Sequence, residues 1–139
     1  MYRRILVPVD LQHVDKMGKA LDTAADLARH YEAELWFVAV TGKVPNRVAK
    51  SPEAFAAELA AFAAERGREL GLAVHARTIS SVDVAVDLDD TLLRAAQEIE
   101  ADLLVMASHI PGVPDRLHLI SSNAAYIVRH SEISVFVVR

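Results

Sequence analysis

The sequence predicts an α/β sandwich built on a mostly parallel sheet. Three observations carry that expectation. Short apolar runs alternate with longer segments whose apolar residues step by three and four, the two periods of strand and helix. The alternation continues along the whole chain, the pattern of a sheet whose strands are joined by helical crossovers. Its 139 residues, 53% of them hydrophobic, suit one domain, spanning residues 1–139, with a packed core.

Each element has its own signal. Ile5-Leu6-Val7-Pro8-Val9 is a continuous apolar run, suited to a strand buried on both faces. From Val14 the period changes: Val14, Met17, Leu21, Ala24, Ala28 and Tyr31 fall on one helical face. Leu35 to Val40, rich in aromatic and β-branched residues, reads as the second strand. Gly42, Pro45 and Asn46 mark a loop. Ser51 is placed to cap the next helix, with Pro52 at its first position and a stripe of Phe55, Leu59, Phe62 and Leu70. Gly71 ends it, and Val74 to Ile79 alternates as a third strand. Leu88, Leu92, Ala96 and Ile99 predict another helix, and Leu103 to Ala107 the fourth strand. After a loop at Pro111 to Pro114, Ser121, Ser122 or Asn123 caps a last helix running to about His130. Ile133 to Val138 is the fifth strand.

Composition excludes several classes of function. With 19 acidic and 15 basic residues the net charge is −4, which argues against a nucleic-acid surface. There is no cysteine, so disulfide frameworks and thiolate chemistry are out. No apolar run approaches the roughly 18 residues of a membrane span, and Met1 to Arg4 leads into no signal-peptide core. A cytoplasmic protein without a membrane partner is therefore expected. The 6 histidines show no metal-ligand spacing, and none of Ser108, Ser121 and Ser122 sits in a nucleophile elbow.

The sharpest local motif is Val84-Ala85-Val86-Asp87-Leu88-Asp89-Asp90-Thr91. It resembles the first motif of haloacid-dehalogenase-type phosphatases. That resemblance implies a magnesium-dependent phosphatase with Asp87 as nucleophile and Asp89 as acid and base. The rest of such a site is missing, since no lysine follows Lys50 and the later acidic candidates, Asp102, Asp115 and Glu132, are each isolated. The preferred reading is a loop and a helix N-terminus, where carboxylates favour the dipole.

A second resemblance covers the whole chain. Arg4-Ile5-Leu6-Val7-Pro8-Val9-Asp10, Ala101-Asp102-Leu103-Leu104-Val105-Met106-Ala107-Ser108-His109, Ser121-Ser122-Asn123-Ala124-Ala125 and the ending from Arg129-His130 onward look like segments of the universal stress protein family. The resemblance implies a five-stranded parallel sheet of order 3-2-1-4-5, helices on both faces, and a binding or regulatory module acting in stress response rather than an enzyme. It implies a homodimer through the last strand, Ile133 to Val138, and a regulated protein partner. ATP-binding members place the sugar and base against the end of the first strand and the second-strand backbone. On this chain those positions are Pro8, Asp10 and Val40, with Ala107, Ser108, His109, Ser121, Ser122 and Asn123 at the phosphate side.

ATP-binding members also carry glycines after the fourth strand, which let backbone N–H groups approach phosphate oxygens. Here those positions hold Ala107, Ile110 and Ser121. Pro111 and Pro114 each lack a donor. ATP, or another adenine nucleotide, is therefore expected to bind weakly, unless Arg116 and His118 restore the loop's charge and make this an ATP-binding member. Asp10 has a plainer role open to it as a strand-end helix cap, and His109 as a histidine bonded to a loop carbonyl.

Overall fold

The computed structural model describes residues 1–42, 45, 48–81, 84–107 and 124–139, and the side chains of that set except those of 84–87. Five strands form one parallel sheet: β1 (Arg4–Pro8), β2 (Glu34–Thr41), β3 (Val74–Ser80), β4 (Leu103–Ala107) and β5 (Ser134–Val138). Their order is β3-β2-β1-β4-β5, as expected. Between them run α1 (Gly18–Tyr31), α2 (Pro52–Leu70), α3 (Val84–Glu98) and α4 (Ala124–His130). No helix among the described residues is long and apolar enough to cross a membrane.

Alternation along the central strands builds two cores. Ile5, Val7, Leu35, Phe37, Ala39, Leu103 and Val105 face a layer made with α1 and α2, whose Leu21, Ala24, Phe55 and Leu59 are buried against them. Leu6, Val38, Leu104 and Met106 point the other way, onto Leu88, Leu92, Ala96 and Ile99 of α3 and Ile127 of α4. Burial on both faces is why these strands read as continuous apolar runs. Each fully buried Leu or Ile contributes about 1.5–3 kcal/mol relative to exposure.

The helix ends follow local chemistry. Ser51 Oγ accepts from the Ala54 N–H at 3.1 Å, with Pro52 in the first turn. Gly71 closes α2 with φ +66, a left-handed conformation that favours glycine. Two other helix exits use the same conformation without glycine: Glu32 and Glu100 both have φ 55. That costs a residue with a Cβ about 1–2 kcal/mol.

Two expectations need correction. The first helix does not begin near Val14. Residues Leu11–Lys16 form a 3-10 turn that is broken at His13 (φ −131, ψ 26), and α1 starts at Gly18. The stripe of α2 is Phe55, Leu59 and Ala63, whereas Phe62 and Leu70 are only half-buried. One helical turn advances 3.6 residues, so the buried line drifts onto Ala63.

Candidate functional site

In an open parallel sheet the place to look is outside the strand C-termini, where the strand order reverses. Here that point lies between β1 and β4. The two strands are tied at their other end. Asp102 accepts from the Arg3 N–H at 2.9 Å and from the Arg4 N–H at 3.1 Å, and its own N–H donates to Arg4 at 3.0 Å. The ladder pairs Ile5 with Leu103 and Leu6 with Leu104 and stops, while β1 stays paired with β2 as far as Pro8 and Val38.

Pro8 supplies the reason. Along a strand, backbone groups point alternately to the two neighbours. The Val9 N–H donates to Val38 in β2 at 2.8 Å, so the nitrogen of Pro8 faces β4. Proline has no N–H to donate there. The ladder therefore ends short of the strand C-termini, at the switch point where an open parallel sheet is expected to form its ligand crevice.

Asp10 follows closely on the C-terminal end of β1, on that side of the sheet. Its carboxylate is already engaged: Oδ1 accepts from the Gln12 N–H at 3.1 Å, and Oδ2 lies 2.8 Å from His13 Nδ1. The Asp10 backbone N–H meets Met17 Sδ at 3.4 Å. Asp10 thus caps the 3-10 turn, the plainer of its two expected roles. An ionised carboxylate has about four lone-pair sites, so two bonds leave it able to accept from a ligand hydroxyl. Sequence reasoning missed His13. The signal was there as a titratable ring three residues after a strand-end aspartate.

The other expected site residues divide into three groups. Pro8 and Ala107 end β1 and β4, both buried, on the two sides of the switch point. Val40 lies in β2, but its side chain packs in the α3 and α4 layer, whereas Ala107 belongs to the α1 and α2 layer. The two side chains occupy opposite faces of the sheet, so only backbone at the sheet edge can join them in one site. Ser108, His109, Ser121, Ser122 and Asn123 lie outside the described residues, as do Arg116 and His118.

The phosphatase alternative fails on geometry. Val84–Glu98 is one helix, so no strand delivers Asp87 and Asp89 to a sheet edge. The motif's next carboxylate has a structural partner instead: Tyr126 Oη donates to Asp90 Oδ1 at 2.9 Å, linking α4 to α3. That hydrogen bond, followed by desolvation and the charges of Asp90 and Asp89, holds the Tyr126 hydroxyl above its usual value of 10.0. A raised value in the folded state means the contribution is complete below about pH 10 and is lost as pH rises through the folded value. Tyr126→Phe should therefore flatten the alkaline end of the stability profile, read as melting temperature between about pH 9 and 11.

A cavity of about 340 Å³ lies elsewhere, among the C-terminal ends of α3 and α4 and the approach to β5, lined by Leu93, Gln97, Glu100, His130 and Glu132. It is at the opposite end of the strands from Asp10 and brings no group to it. Among the described residues no cluster of His, Asp and Glu is placed to hold a metal.

Comparison with known proteins agrees on one family. The sequence profile of the universal stress protein family matches residues 1–139. Universal stress protein G of Salmonella typhimurium is 28% identical over 148 residues, covering 100% of both chains. Among solved structures, a universal stress protein in complex with cAMP superposes with a TM-score of 0.69 at 23% identity, covering 99% of this chain and 97% of that one. The universal stress protein from Archaeoglobus fulgidus in complex with dAMP gives 0.68 at 20% identity, covering 99% and 98%.

Proposed function

The chain belongs to the universal stress protein family, and from that premise we propose that it is a regulatory binding module that holds an adenine nucleotide by its sugar and base, with the phosphates adding little. The observation that carries this reading is Asp10, an ordered acceptor just past the end of β1, beside the switch point where the β1–β4 ladder stops at Leu6 and Leu104. The relatives bound to cAMP and to dAMP support the ligand class. Both ligands carry a single phosphate, which suits a chain whose phosphate loop has lost its glycines. By the family resemblance Ala107, Ile110 and Ser121 replace the glycines whose backbone would meet phosphate oxygens.

The module acts in a stress response, in the cytoplasm, through a regulated protein and without a dedicated catalytic step. It works as a homodimer. The support is β5, an edge strand that carries the exposed Phe136, because an apolar edge of this kind invites pairing with a second copy. Its net charge of −4 speaks against nucleic acid as the partner.

Isothermal titration with AMP tests the ligand reading. The unmodified protein should bind AMP. Asp10→Ala should weaken binding by about tenfold, since hydrogen bonds to a charged acceptor contribute about 1.5–3 kcal/mol. No heat with AMP, or an Asp10→Ala protein that binds it equally well, would overturn the reading.

A further inference from the structure

We propose that His13 is a positioning residue for the ligand hydroxyl at Asp10, and that it sets the preference of the crevice for a hydroxyl-bearing sugar. The inference rests on reading this crevice as an adenine-nucleotide site. It starts from the His13–Asp10 pair, whose side chains are only 17% and 15% exposed.

A terminal carboxylate torsion is broad and unrestrained by itself. One backbone bond, from Gln12 to Oδ1, leaves the group able to swing about that contact. The second bond, His13 Nδ1 to Oδ2 at 2.8 Å, fixes its plane. A charge-assisted bond of that length is among the stronger ones available. Among the described residues each oxygen has one partner, and the direction of its remaining lone pair is set before any ligand arrives. Ordering a group in advance removes a cost that binding would otherwise carry. A hydroxyl donor then gains the full bond, whereas a sugar lacking hydroxyls meets an acceptor that it leaves unsatisfied.

The pair also fixes the ring. To donate through Nδ1, the neutral imidazole carries its proton there, which leaves Nε2 as an acceptor. His13 therefore has a spectroscopic signature as well as an effect on binding.

The experiment compares AMP with 2′,3′-dideoxy-AMP by isothermal titration at pH 8. The proteins are the unmodified chain, His13→Ala, His13→Phe and His13→Asn. The unmodified protein should prefer AMP by about tenfold, the equivalent of one such bond. His13→Ala and His13→Phe should cut that preference below about threefold, and the phenyl ring keeps the volume should the alanine protein fold poorly. His13→Asn, whose amide N–H can reach the same oxygen, should keep it. Long-range 1H–15N spectra should show the Nδ1–H tautomer in the unmodified protein and its loss in Asp10→Ala. An unchanged preference in His13→Ala and His13→Phe, or an Nε2–H tautomer in the unmodified protein, would overturn the proposal and leave the nucleotide reading standing. Failure of the unmodified protein to bind either nucleotide would bring down both.

Discussion

Leu104→Ala should lower the free energy of unfolding by about 2–5 kcal/mol, a large loss for a single side-chain truncation. Leu104 is 0% exposed on β4, beside Leu6 of β1, also 0% exposed. It faces the layer closed by Leu92, Met106 and Ile127. Removing three carbons there loses their transfer energy and leaves a void that surrounding strands and helices cannot collapse to fill. A domain of this size has a total stability of about 5–15 kcal/mol, so the change consumes a large share of it. Urea unfolding at fixed protein concentration should show a lower midpoint with an unchanged slope. Val128→Ala, at a position 53% exposed, should stay within about 0.5 kcal/mol. A Leu104→Ala protein as stable as the unmodified one would contradict the two-layer core.

The second large effect concerns assembly. If the proposed dimer pairs through β5, Phe136→Lys should convert it into monomers, lowering the mass seen by light scattering from twice 15.2 kDa to 15.2 kDa. Phe136 is 44% exposed on β5, the strand at one edge of the sheet. Lysine on an edge strand is a common natural device against edge pairing, because its charge must lose water when a second strand approaches. The position matters. Val135 and Val137 on the same strand pack into the α3 and α4 layer, so a lysine at either would test the core as much as the edge. A monomer for the unmodified protein at tens of micromolar would refute the dimer, as would a Phe136→Lys dimer of undiminished affinity.

Much of the fold was legible in the sequence, because each element carries its signal locally. The α2 helix could be read from Ser51-Pro52 at its start and Gly71 at its end, and those residues cap it in the structure. The apolar runs of β1 and β4 could be read as doubly buried strands, and so they are. The start of α1 could not. Val14, Met17 and Leu21 keep helical spacing, but the Asp10 carboxylate binds its own downstream backbone and draws in His13, which turns the chain before the helix begins. The motif at Asp87 and Asp89, preferred as a loop and a helix N-terminus, left two readings open for a related reason. Its pattern of three apolar residues, Val84 to Val86, before an aspartate fits the end of a strand and the start of a helix equally well.

The site was legible in part. Asp10 and Pro8 announced themselves by their place at the end of an apolar run. The partnership of Asp10 with His13 depends on side-chain torsions that no spacing encodes. Nor does a list of strand-end residues say which sheet face each side chain takes. Val40 and Ala107 both stand near strand C-termini, yet they point into different layers. The expectations for Ser108, His109, Ser121, Ser122 and Asn123 rest on sequence alone, since these residues lie outside those described.

The central claim is that this chain keeps the sugar and base end of a nucleotide site and has lost the phosphate end. Titration with ATP and magnesium beside AMP, on the same protein, tests it most directly. A glycine loop that had kept its donors would gain two or three phosphate bonds at about 1.5–3 kcal/mol each, or several powers of ten in affinity. With Ala107, Ile110 and Ser121 in the glycine positions and Pro111 and Pro114 between them, ATP should bind no more than about tenfold tighter than AMP. ATP bound in the low micromolar range and about a thousandfold tighter than AMP would show a loop that still cradles phosphates, and would contradict the account.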